Sequence, residues 1–366
     1  MKVIQVIDTL NIGGAETLVK DYLLHFPAGV ERFVICLGER CGSFYETLLE
    51  REGIPVYYCG EGLKGKKLPP PVSYLIRLRR FQSLVNRIRP DVIHGHLTAV
   101  RYLAAANVGK ARLFYTLHNE LQVLAARTRG FDRCIRRCIR KKGMVPIALH
   151  HSMQAACNRR YQIQSTVYLQ NGIELDRFSA DTAMDNPFRR QFDIPQEAVL
   201  LGSVGRLMPV KNHVFLVDIL HQLRARGIDA HLAIAGKGPE QEAIQKRAEE
   251  MGVAGFLRLT GVQKDTPALY KSLDLFVMPS RWEGFPIALI EAQAAGVRCL
   301  ISDVIDDETK ILSTTWSCSL PRPAGEWADM AIRLLGQQPE RDYREKMQPF
   351  DIKWITTRLM ELYQAP

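Results

Sequence analysis

The chain lacks the features that would place it among disulfide-rich, membrane-spanning or disordered proteins. Its eight cysteines in 366 residues are too sparse and scattered for a disulfide framework, so we expect a reducing, cytoplasmic setting. No stretch approaches the roughly 18 consecutive apolar residues that cross a bilayer. The apolar stretch before Asp8 is too short for a signal sequence. With 46% hydrophobic and 24% charged residues, the composition is that of a globular protein.

Charge is distributed unevenly along the chain. Residues 1–180 contain 27 lysines and arginines and 14 acidic residues, a net charge of +13, and the remainder contributes −3 to the overall +10. A basic half next to a nearly neutral half indicates two domains, one of which meets an anionic partner. Nucleic acid, an anionic membrane surface and a phosphorylated acceptor all fit the charge alone. Nucleic acid is the least favoured, because no recognition motif accompanies the basic residues.

Short apolar runs alternate with amphipathic stretches along the chain, which predicts an α/β protein with parallel strands and crossover helices. The pattern breaks off after Asn171-Gly172 and restarts at Val199, so we expect two doubly wound, Rossmann-like domains. We place them at residues 1–175 and 176–348, and we expect a C-terminal helix, 349–366, to pack across the domain boundary. Ligands in such folds lie beyond the carboxyl ends of strands, so the site should face the cleft between the domains.

Two glycine loops are candidates for binding an anion. Gly13 and Gly14 follow the first predicted strand and open a helix, where backbone N–H groups and the helix N-terminus attract negative charge. Gly236 and Gly238 form a similar turn before Pro239. An ordinary strand-to-helix turn explains each loop equally well. The first loop lacks the third glycine of the dinucleotide fingerprint, so NAD binding is not supported.

Two basic side chains, Arg206 and Lys211, lie in one loop after a predicted strand of the second half. A guanidinium and an ammonium from one loop suit a diphosphate, because both neutralise its charge. Two ordinary solvated charges are the alternative. The sequence therefore predicts a diphosphate site only in combination with other residues.

The most specific cluster is the segment 279–286, followed by a predicted helix that contains Glu291. Glu283 lies in the loop and Glu291 one or two turns into the helix, so both can face the same side. Carboxylates accept hydrogen bonds from pairs of hydroxyls, which sugars present. The helix N-terminus between them can hold a phosphate. A charged loop and a solvated glutamate are the alternative, which the apolar neighbours of Glu291 weaken.

Taken in order, these motifs resemble the retaining family 4 glycosyltransferases of GT-B fold. The resemblance runs from Gly13-Gly14 through His118 and Asn171-Gly172-Ile173 to the segment from Glu283 to Glu291, which is nearly the whole chain. It implies an N-terminal domain that binds the acceptor and a C-terminal domain that binds a nucleoside-diphosphate sugar, with UDP as the expected nucleotide. The segment Glu291–Gly296 and its continuation resemble the branch that serves exopolysaccharide and capsule assembly.

The resemblance also implies roles for individual residues. Arg206 and Lys211 would hold the donor diphosphate, Glu291 the ribose hydroxyls, and Glu283 the donor sugar. His118 would contact the transferred sugar or the acceptor. The other expected site residues are Gly13, Gly14, Gly236, Gly238, Gly284, Phe285 and Pro286 for the donor, and His94, His96 and Asn119 for the acceptor. For the histidines of the predicted strand, His94 and His96, a purely structural role is an equal alternative.

No Asp-x-Asp motif occurs in the sequence, so nothing in it indicates a metal held by paired aspartates. We expect neither a metal nor another cofactor. Arg206, Lys211 and helix dipoles would stabilise the leaving diphosphate electrostatically. The family resemblance implies retention by front-face attack without an enzyme nucleophile, with Glu283 and His118 completing the catalytic set. We therefore expect a metal-independent hexosyl- or N-acetylhexosaminyltransferase that acts on a lipid-linked or polysaccharide acceptor.

A basic amphipathic helix is predicted between Phe131 and Lys142. Such a helix is typical of attachment to an anionic membrane surface, at about 1 kcal/mol per basic residue, here at the inner face of the cell membrane. A crossover helix with one solvated face is the alternative. The six basic residues of the helix are Arg133, Arg136, Arg137, Arg140, Lys141 and Lys142.

The cysteines of this helix do not indicate a metal site. Cys134 and Cys138 fit buried thiols better than zinc ligands, because their spacing to His150, His151 and Cys157 matches no standard pattern.

Two rival functions remain open on the sequence. A sugar-nucleotide 2-epimerase on the same fold would consume the donor without any acceptor. A non-catalytic, sugar-nucleotide-binding assembly partner would bind the donor without turning it over.

Overall fold

The structure, a computed structural model, describes residues 1–366 except 64, 67, 119–129, 180–186, 264–265 and 366. The chain divides into two units. The first unit contains Met1–Gly172 and Ile352–Pro366, and the second contains Ile173–Asp351. The expected divisions after residues 175 and 348 each lie three residues from these points. The C-terminal segment, although it follows the second unit in sequence, belongs to the first.

The first unit contains a parallel sheet in the order β3-β2-β1-β4-β5-β6-β7. Its strands are β1 (Lys2–Ile7), β2 (Glu31–Cys36), β3 (Val56–Tyr58), β4 (Val92–His96), β5 (Arg112–Thr116), β6 (Val145–Ala148) and β7 (Val167–Tyr168). The helices between them are α1 (Gly14–His25), α2 (Phe44–Arg51), α3 (Pro70–Ile88), α4 (Ala99–Ala105), α5 (Phe131–Lys142) and α6 (His151–Tyr161).

The second unit contains a parallel sheet in the order β10-β9-β8-β11-β12-β13. Its strands are β8 (Val199–Val204), β9 (Ala230–Ala235), β10 (Leu257–Gly261), β11 (Leu275–Met278), β12 (Arg298–Ser302) and β13 (Thr315–Cys318). Its helices are α7 (Asp176–Ser179), α8 (Pro187–Gln191), α9 (His213–Ala225), α10 (Gln241–Glu250), α11 (Thr266–Ser272), α12 (Ile287–Ala294), α13 (Ala324–Leu335) and α14 (Tyr343–Met347). Three short 3₁₀ helices occupy Ala254–Phe256, Asp307–Thr309 and Gln348–Phe350.

Both sheets confirm the predicted α/β class. Strands with residues buried on both faces read as nearly continuous apolar runs, which is the pattern of parallel sheets covered by helices. In β9 every residue is buried, and in β1 only Lys2 is not. In each sheet the first strand of the unit, β1 or β8, lies in the interior, and later strands are added on both sides of it. This order is that of a doubly wound, Rossmann-like fold.

The last helix, α15 (Ile352–Gln364), packs against the first unit. Its apolar face follows the predicted helical spacing through Ile352, Ile355 and Leu359, which are fully buried, and it continues to Tyr363. Gly172 permits the close approach, because a β-carbon there would lie 2.9 Å from the Cα of Ile352. The helix therefore completes the core of the first unit from the far end of the chain.

The cysteines and helices also bear on the sequence expectations. All eight cysteines are unpaired thiols. Cys134, Cys138 and Cys157 do not gather with His150 or His151 into a metal-ligating group in the part of the chain that the structure describes. Within the same described ranges, the helices are too short or too polar to cross a bilayer.

A buried guanidinium, that of Arg189 in α8, ties together the start of the second unit. Arg189 is 6% exposed, and its nitrogens donate hydrogen bonds to four backbone carbonyls and to the carboxylate of Asp274 at 2.8 Å. Removing this guanidinium would leave several buried acceptors without a donor, which costs more than the bonds themselves contribute. The carbonyls belong to Pro195, Gln196, Ala198 and Ser272.

We expect Arg189→Met to lower the free energy of unfolding of the second unit by about 3 kcal/mol. Arg190→Met is the matched control, since Arg190 is the exposed neighbour on the same helix, and a change within about 0.5 kcal/mol is expected there. Urea unfolding followed by tryptophan fluorescence measures both. Equal effects of the two substitutions would show that the buried bonds of Arg189 contribute no extra stability.

Candidate functional site

Three loops leave the same edge of the second unit's sheet. In the strand order, β8 lies between β9 and β11. Because the strands are parallel, the loops that follow them, 205–212, 236–240 and 279–286, emerge side by side at their carboxyl ends. These loops contain most of the expected donor residues.

Backbone hydrogen bonds join the three loops. The N–H of Leu207 donates to the carbonyl of Lys237 at 3.0 Å, which links the loop after β8 to the loop after β9. The N–H of Arg281 donates to the carbonyl of Val210 at 2.8 Å, which links the loop after β11 to the loop after β8. The side chains that these loops present are therefore held in a fixed relation to one another.

Gly236 and Gly238 are required by packing. A β-carbon at Gly236 would lie 1.9 Å from the carbonyl oxygen of Gly205, and one at Gly238 would lie 2.3 Å from that of Leu207. The N–H of Gly236 donates to the carbonyl of Gly261 at 2.8 Å. This corrects the expectation that Gly236 exposes its N–H to a phosphate, because that donor is used within the unit.

Lys211 and Glu283 are in direct contact. The Nζ of Lys211 donates to Oε1 of Glu283 at 2.7 Å and to Oε2 at 2.9 Å. The side chains are 22% and 11% exposed, so solvent screens the pair less than an ordinary surface ion pair. An ammonium has three N–H donors, so the contact with two carboxylate oxygens leaves a third for another acceptor.

The other predicted residues of these loops differ from one another in exposure and in packing contacts. Arg206 is exposed in the same loop as Lys211 and does not join the ion pair. Gly284 is buried, and the ring of Phe285 stacks on Phe350 with 6.4 Å between centroids. Pro286 precedes the first residue of α12. Phe285 thus has a packing role in addition to any contact with a ligand.

Glu291 lies on α12, the helix that follows the Glu283 loop. Its Oε2 accepts a hydrogen bond of 2.8 Å from the hydroxyl of Tyr270 on α11. Tyr270 is fully buried, and this burial, together with the Glu291 carboxylate, holds the pKa of its hydroxyl well above the ordinary value. Tyr270 therefore remains a hydrogen-bond donor and orients the carboxylate. Sequence reasoning missed this residue, and no spacing signal marked it.

The first unit contains a chain of buried hydrogen bonds, which we call the histidine network. The Nε2 of His96 lies 2.7 Å from Oε1 of Gln5, and its Nδ1 lies 2.8 Å from Nε2 of His118. The Nδ1 of His94 lies 2.6 Å from the hydroxyl of Tyr363, to which Nε2 of Gln5 donates at 3.2 Å. The network consists of Gln5, His94, His96, Thr116, His118 and Tyr363.

The strand register explains how these residues meet. In the sheet Gln5 of β1 pairs with His94 of β4, and His96 of β4 pairs with Thr116 of β5. His118 follows two residues after β5, and it is half-buried whereas His94 and His96 are fully buried. Gln5, a polar residue among the buried apolar residues of β1, is the sequence signal that could have indicated this network. Tyr363 has no such signal, because it continues an apolar helix face.

Burial makes the imidazoles of the network neutral. It lowers the pKa of His94 to about 3 and that of His118 to about 4, and it holds the pKa of His96 well below the ordinary value. A neutral imidazole has one N–H donor and one lone-pair acceptor. The network is therefore a set of directional hydrogen bonds without net charge.

The remaining predicted residues of the first unit lie at other places. Gly13 precedes α1, and a β-carbon on it would lie 2.5 Å from a carboxylate oxygen of Glu16. Gly14 is the first residue of α1. Asn119 lies outside the described residues. The Glu16 carboxylate thus occupies the space beside Gly13, where the backbone is extended.

The basic face of α5 is smaller than the sequence predicts. Arg133, Arg137, Arg140 and Lys141 are exposed. Lys142 instead donates to the carbonyls of Leu103, at 2.5 Å, and Ala106, and burial lowers its pKa. Arg136 pairs with Asp132 at 3.7 Å and lies over the ring of Tyr161. Four of the six predicted basic residues therefore face solvent.

Comparisons with known proteins agree with this architecture. Residues 12–177 match the model of glycosyltransferase family 4, and residues 185–314 match that of glycosyl transferases group 1. Two Rossmann-like domains with these matches define a GT-B protein. The chain belongs to the family 4 glycosyltransferases.

Two curated relatives illustrate the range of the match. EpsF of Bacillus subtilis (strain 168), a glycosyltransferase by name, is 33% identical over 177 residues, which are 48% of this chain and 46% of EpsF. The UDP-Gal:alpha-D-GlcNAc-diphosphoundecaprenol alpha-1,3-galactosyltransferase of Escherichia coli is 26% identical over 163 residues, 43% of this chain and 42% of the relative. Each match thus spans less than half the length of the relative.

Solved structures share the fold over the whole chain. Anabaena Alr3699/HepE, crystallised in complex with UDP and glucose, superimposes with a TM-score of 0.82 at 17% identity, covering 100% of both chains. WaaG, a glycosyltransferase involved in lipopolysaccharide biosynthesis, gives a TM-score of 0.76 at 15% identity, also over 100% of both chains. At these identities the likeness concerns the fold.

The neutral histidines predict that acid destabilises the first unit. In the unfolded chain His94 takes up a proton near its ordinary pKa of 6.5, whereas in the folded protein it does so only near 3. The unfolded state therefore binds more protons between these values, and the free energy of unfolding falls as the pH falls. From pH 7.5 to pH 5.0, we expect His94 alone to account for a loss of about 2 kcal/mol.

Urea unfolding of the wild type and of His94→Gln at the two pH values measures this contribution. The substitution should reduce the pH-dependent loss by about 2 kcal/mol. His151→Gln, which replaces an exposed histidine of the same unit, is the control and should leave the pH dependence close to that of the wild type. An undiminished loss in His94→Gln would contradict the assignment.

Proposed function

We propose that the protein is a retaining, metal-independent glycosyltransferase that transfers a hexosyl or N-acetylhexosaminyl group from a UDP-sugar to a lipid-linked or polysaccharide acceptor. Membership of family 4 supports sugar transfer from a nucleotide donor. A relative whose name specifies UDP-Gal and a diphosphoundecaprenol-linked sugar supports this nucleotide and this acceptor class.

The contact between Lys211 and Glu283 is the observation that carries the proposal. In a nucleotide sugar, an anionic diphosphate is covalently joined to a sugar rich in hydroxyls. An ammonium beside a carboxylate presents a matching pair of groups: the third N–H of Lys211 for a phosphate oxygen and the lone pairs of Glu283 for sugar hydroxyls. Two unrelated surface charges would be more exposed than this pair, whose side chains are 22% and 11% exposed.

Glu291 extends the proposed donor site towards the nucleoside. A carboxylate oxygen accepts more than one hydrogen bond, so Glu291 can receive ribose hydroxyls while Tyr270 orients it. Holding the carboxylate in place before binding reduces the conformational entropy that binding would otherwise remove.

In the proposed reaction, the bond between the anomeric carbon and the phosphate oxygen breaks, and a bond to the acceptor hydroxyl oxygen forms on the same face. The acceptor proton passes to the departing phosphate. Arg206 and Lys211 stabilise the negative charge that develops on the leaving diphosphate, and the N-termini of α9 and α12 add partial positive charge. Glu283 orients the donor sugar, and His118 meets a hydroxyl of the transferred sugar or the acceptor.

Binding experiments separate the roles of Lys211 and Glu283. We expect Lys211→Ala to weaken UDP binding about 10- to 100-fold, because a charged hydrogen bond is lost. Glu283→Gln should keep UDP binding within about threefold but reduce turnover of the UDP-sugar, because it frees Lys211 while weakening the contact with the sugar. Lys246→Ala, on the exposed face of α10, is the control. Isothermal titration calorimetry with UDP measures the affinities, and undiminished binding by Lys211→Ala would contradict the diphosphate role.

Turnover assays separate the transferase from its rivals. With a UDP-hexose and a diphosphoundecaprenol-linked N-acetylglucosamine as the acceptor probe, UDP release should require the acceptor and should survive EDTA. The product should keep the anomeric configuration of the donor, as NMR coupling constants report. Donor consumption without acceptor would favour the 2-epimerase. Intact function in cells carrying Lys211→Ala and Glu283→Ala would favour the non-catalytic partner.

The four exposed basic residues of α5 support a proposed attachment to an anionic membrane surface. At about 1 kcal/mol per basic residue, replacing all four by serine should weaken binding to phosphatidylglycerol vesicles by about a hundredfold or more. Binding should also fall between 0.1 and 0.5 M salt, because exposed charges are screened over roughly 10 Å or less. Flotation measures both effects. The set is Arg133, Arg137, Arg140 and Lys141.

A set of four exposed basic residues from the second unit provides the control for net charge. Replacing them by serine should leave vesicle binding nearly unchanged. Equal losses of vesicle binding in the two variants would show that total charge, and not α5, determines attachment. Vesicle binding that does not change with salt concentration would contradict the electrostatic explanation. The control set is Lys246, Arg322, Arg333 and Arg341.

A further inference from the structure

The histidine network ends at His118, the residue proposed to meet a sugar hydroxyl. Its other members lie deeper in the first unit: Gln5, His94, His96 and Thr116 are 0% exposed, and Tyr363 is 2% exposed. His118 alone is half-buried. The network thus connects the far end of the chain, on α15, to the half-buried side chain of His118.

The direction of the hydrogen bonds starts at Tyr363. Its hydroxyl lies 3.2 Å from the amide nitrogen of Gln5, which can only donate, and 2.6 Å from Nδ1 of His94. The single hydroxyl proton therefore goes to His94, and the hydroxyl oxygen accepts from Gln5. The Nε2–H of His94 then donates to the hydroxyl oxygen of Thr116 at 2.7 Å.

The same logic runs along the other branch. The carbonyl oxygen of Gln5 can only accept, so the proton of His96 lies on Nε2, 2.7 Å away. Since the ring is neutral, Nδ1 of His96 has a lone pair and accepts from Nε2–H of His118 at 2.8 Å. The remaining nitrogen of His118, Nδ1, then has a lone pair, and the described part of the chain makes no hydrogen bond to it.

We infer that Tyr363, Gln5 and His96 are positioning residues that fix His118 as its Nε2–H tautomer, so that Nδ1 of His118 accepts a hydrogen bond from a carbohydrate hydroxyl. The inference rests on the proposed function for the identity of that hydroxyl. The polarity of the network itself follows from the side-chain contacts and does not depend on any ligand.

The tautomer matters because the two forms of His118 offer opposite groups. With a lone pair at Nδ1, the imidazole accepts a hydrogen bond from a carbohydrate hydroxyl that does not react, and so orients the sugar that carries it. With a proton at Nδ1, the imidazole would instead donate to the oxygen of that hydroxyl and favour a different orientation of the sugar. Fixing the polarity in advance avoids reorganisation during the reaction.

Long-range ¹H–¹⁵N NMR of protein labelled at the histidine rings tests the polarity without any substrate. At pH 7, His118 should show a protonated Nε2 and an unprotonated Nδ1, with assignment by comparison with His118→Asn. A protonated Nδ1 on His118 in the wild type would overturn the inference, because it requires the reverse direction along the whole network.

Two substitutions of Gln5, by side chains of similar length, then test whether Gln5 determines the tautomer of His118. Gln5→Glu retains an acceptor for His96 and should keep the wild-type tautomer of His118. Gln5→Met removes the acceptor, and because a buried N–H without a partner is rarely tolerated, His96 should move its proton to Nδ1 and donate to His118, which becomes protonated at Nδ1. An unchanged tautomer in Gln5→Met would overturn the role of Gln5. Tyr363→Phe, in which Gln5 loses its acceptor, should produce a mixture of both tautomers.

The control for burial and ring packing is Tyr22→Phe. The ring of Tyr22 lies 6.2 Å from that of His94, it is fully buried, and its hydroxyl has no hydrogen-bond partner among the described residues. This substitution should leave the His118 tautomer and turnover unchanged. If it altered them as much as Tyr363→Phe does, the network would have only a general packing role.

Kinetics then separate this inference from the proposed function. Gln5→Met should lower kcat about tenfold or more, the equivalent of one hydrogen bond, with the KM for the UDP-sugar within about twofold, and Gln5→Glu should restore most of kcat. If the tautomers behave as expected but the wild type transfers no sugar, the network stands and the function fails. If the wild type transfers sugar while His118 is protonated at Nδ1, the function stands and the network inference fails.

Discussion

The ion pair between Lys211 and Glu283 links the loop after β8 to the loop after β11, the two segments on which the proposed donor site depends. In a partly buried pair neither charge can be treated alone, because removing one partner leaves the other desolvated and unpaired. The pair also lowers the positive potential that Lys211 alone would offer to a diphosphate. Its value for the proposed function is therefore positional: it places one ammonium and one carboxylate at fixed points beside each other.

In the first unit, the histidine network also holds polar side chains at fixed points, but through neutral groups instead of an ion pair. The imidazoles of the network are neutral because burial penalises the imidazolium, and the side chains of the network are joined by hydrogen bonds into a single connected set. In a neutral network the placement of protons is determined by groups that can only donate or only accept, here the two ends of the Gln5 amide. An amide thus determines what a histidine two hydrogen bonds away can do.

Much of this architecture could be predicted from the sequence. The strand-helix alternation gave the two Rossmann-like domains, since it reflects local patterns of burial. The loop positions of Lys211 and Glu283 were also predictable, although their contact was not, because it joins residues 72 positions apart. Tyr270 and Tyr363 escaped prediction for a similar reason: each is an ordinary core aromatic by local pattern, and its hydroxyl acquires a role only from a partner brought close by folding. Lys142 was predicted to lie on the exposed basic face of the helix, which is wrong. A helical pattern cannot reveal that its ammonium donates to backbone carbonyls.

The net charge of a domain and the few charges around a binding site act over different distances. Residues 1–180 hold the net positive charge of the chain, whereas the expected diphosphate site lies in the part with a net charge of −3. At physiological ionic strength, charges beyond about 8 Å are largely screened, so net charge influences only encounters with an extended anionic surface. A small anion responds instead to the few groups within hydrogen-bond reach, such as Lys211 and Arg206. A basic N-terminal half and a nearly neutral second half are therefore compatible with the proposed function, in which the first half would meet a membrane through many contacts and the second a ligand through a few.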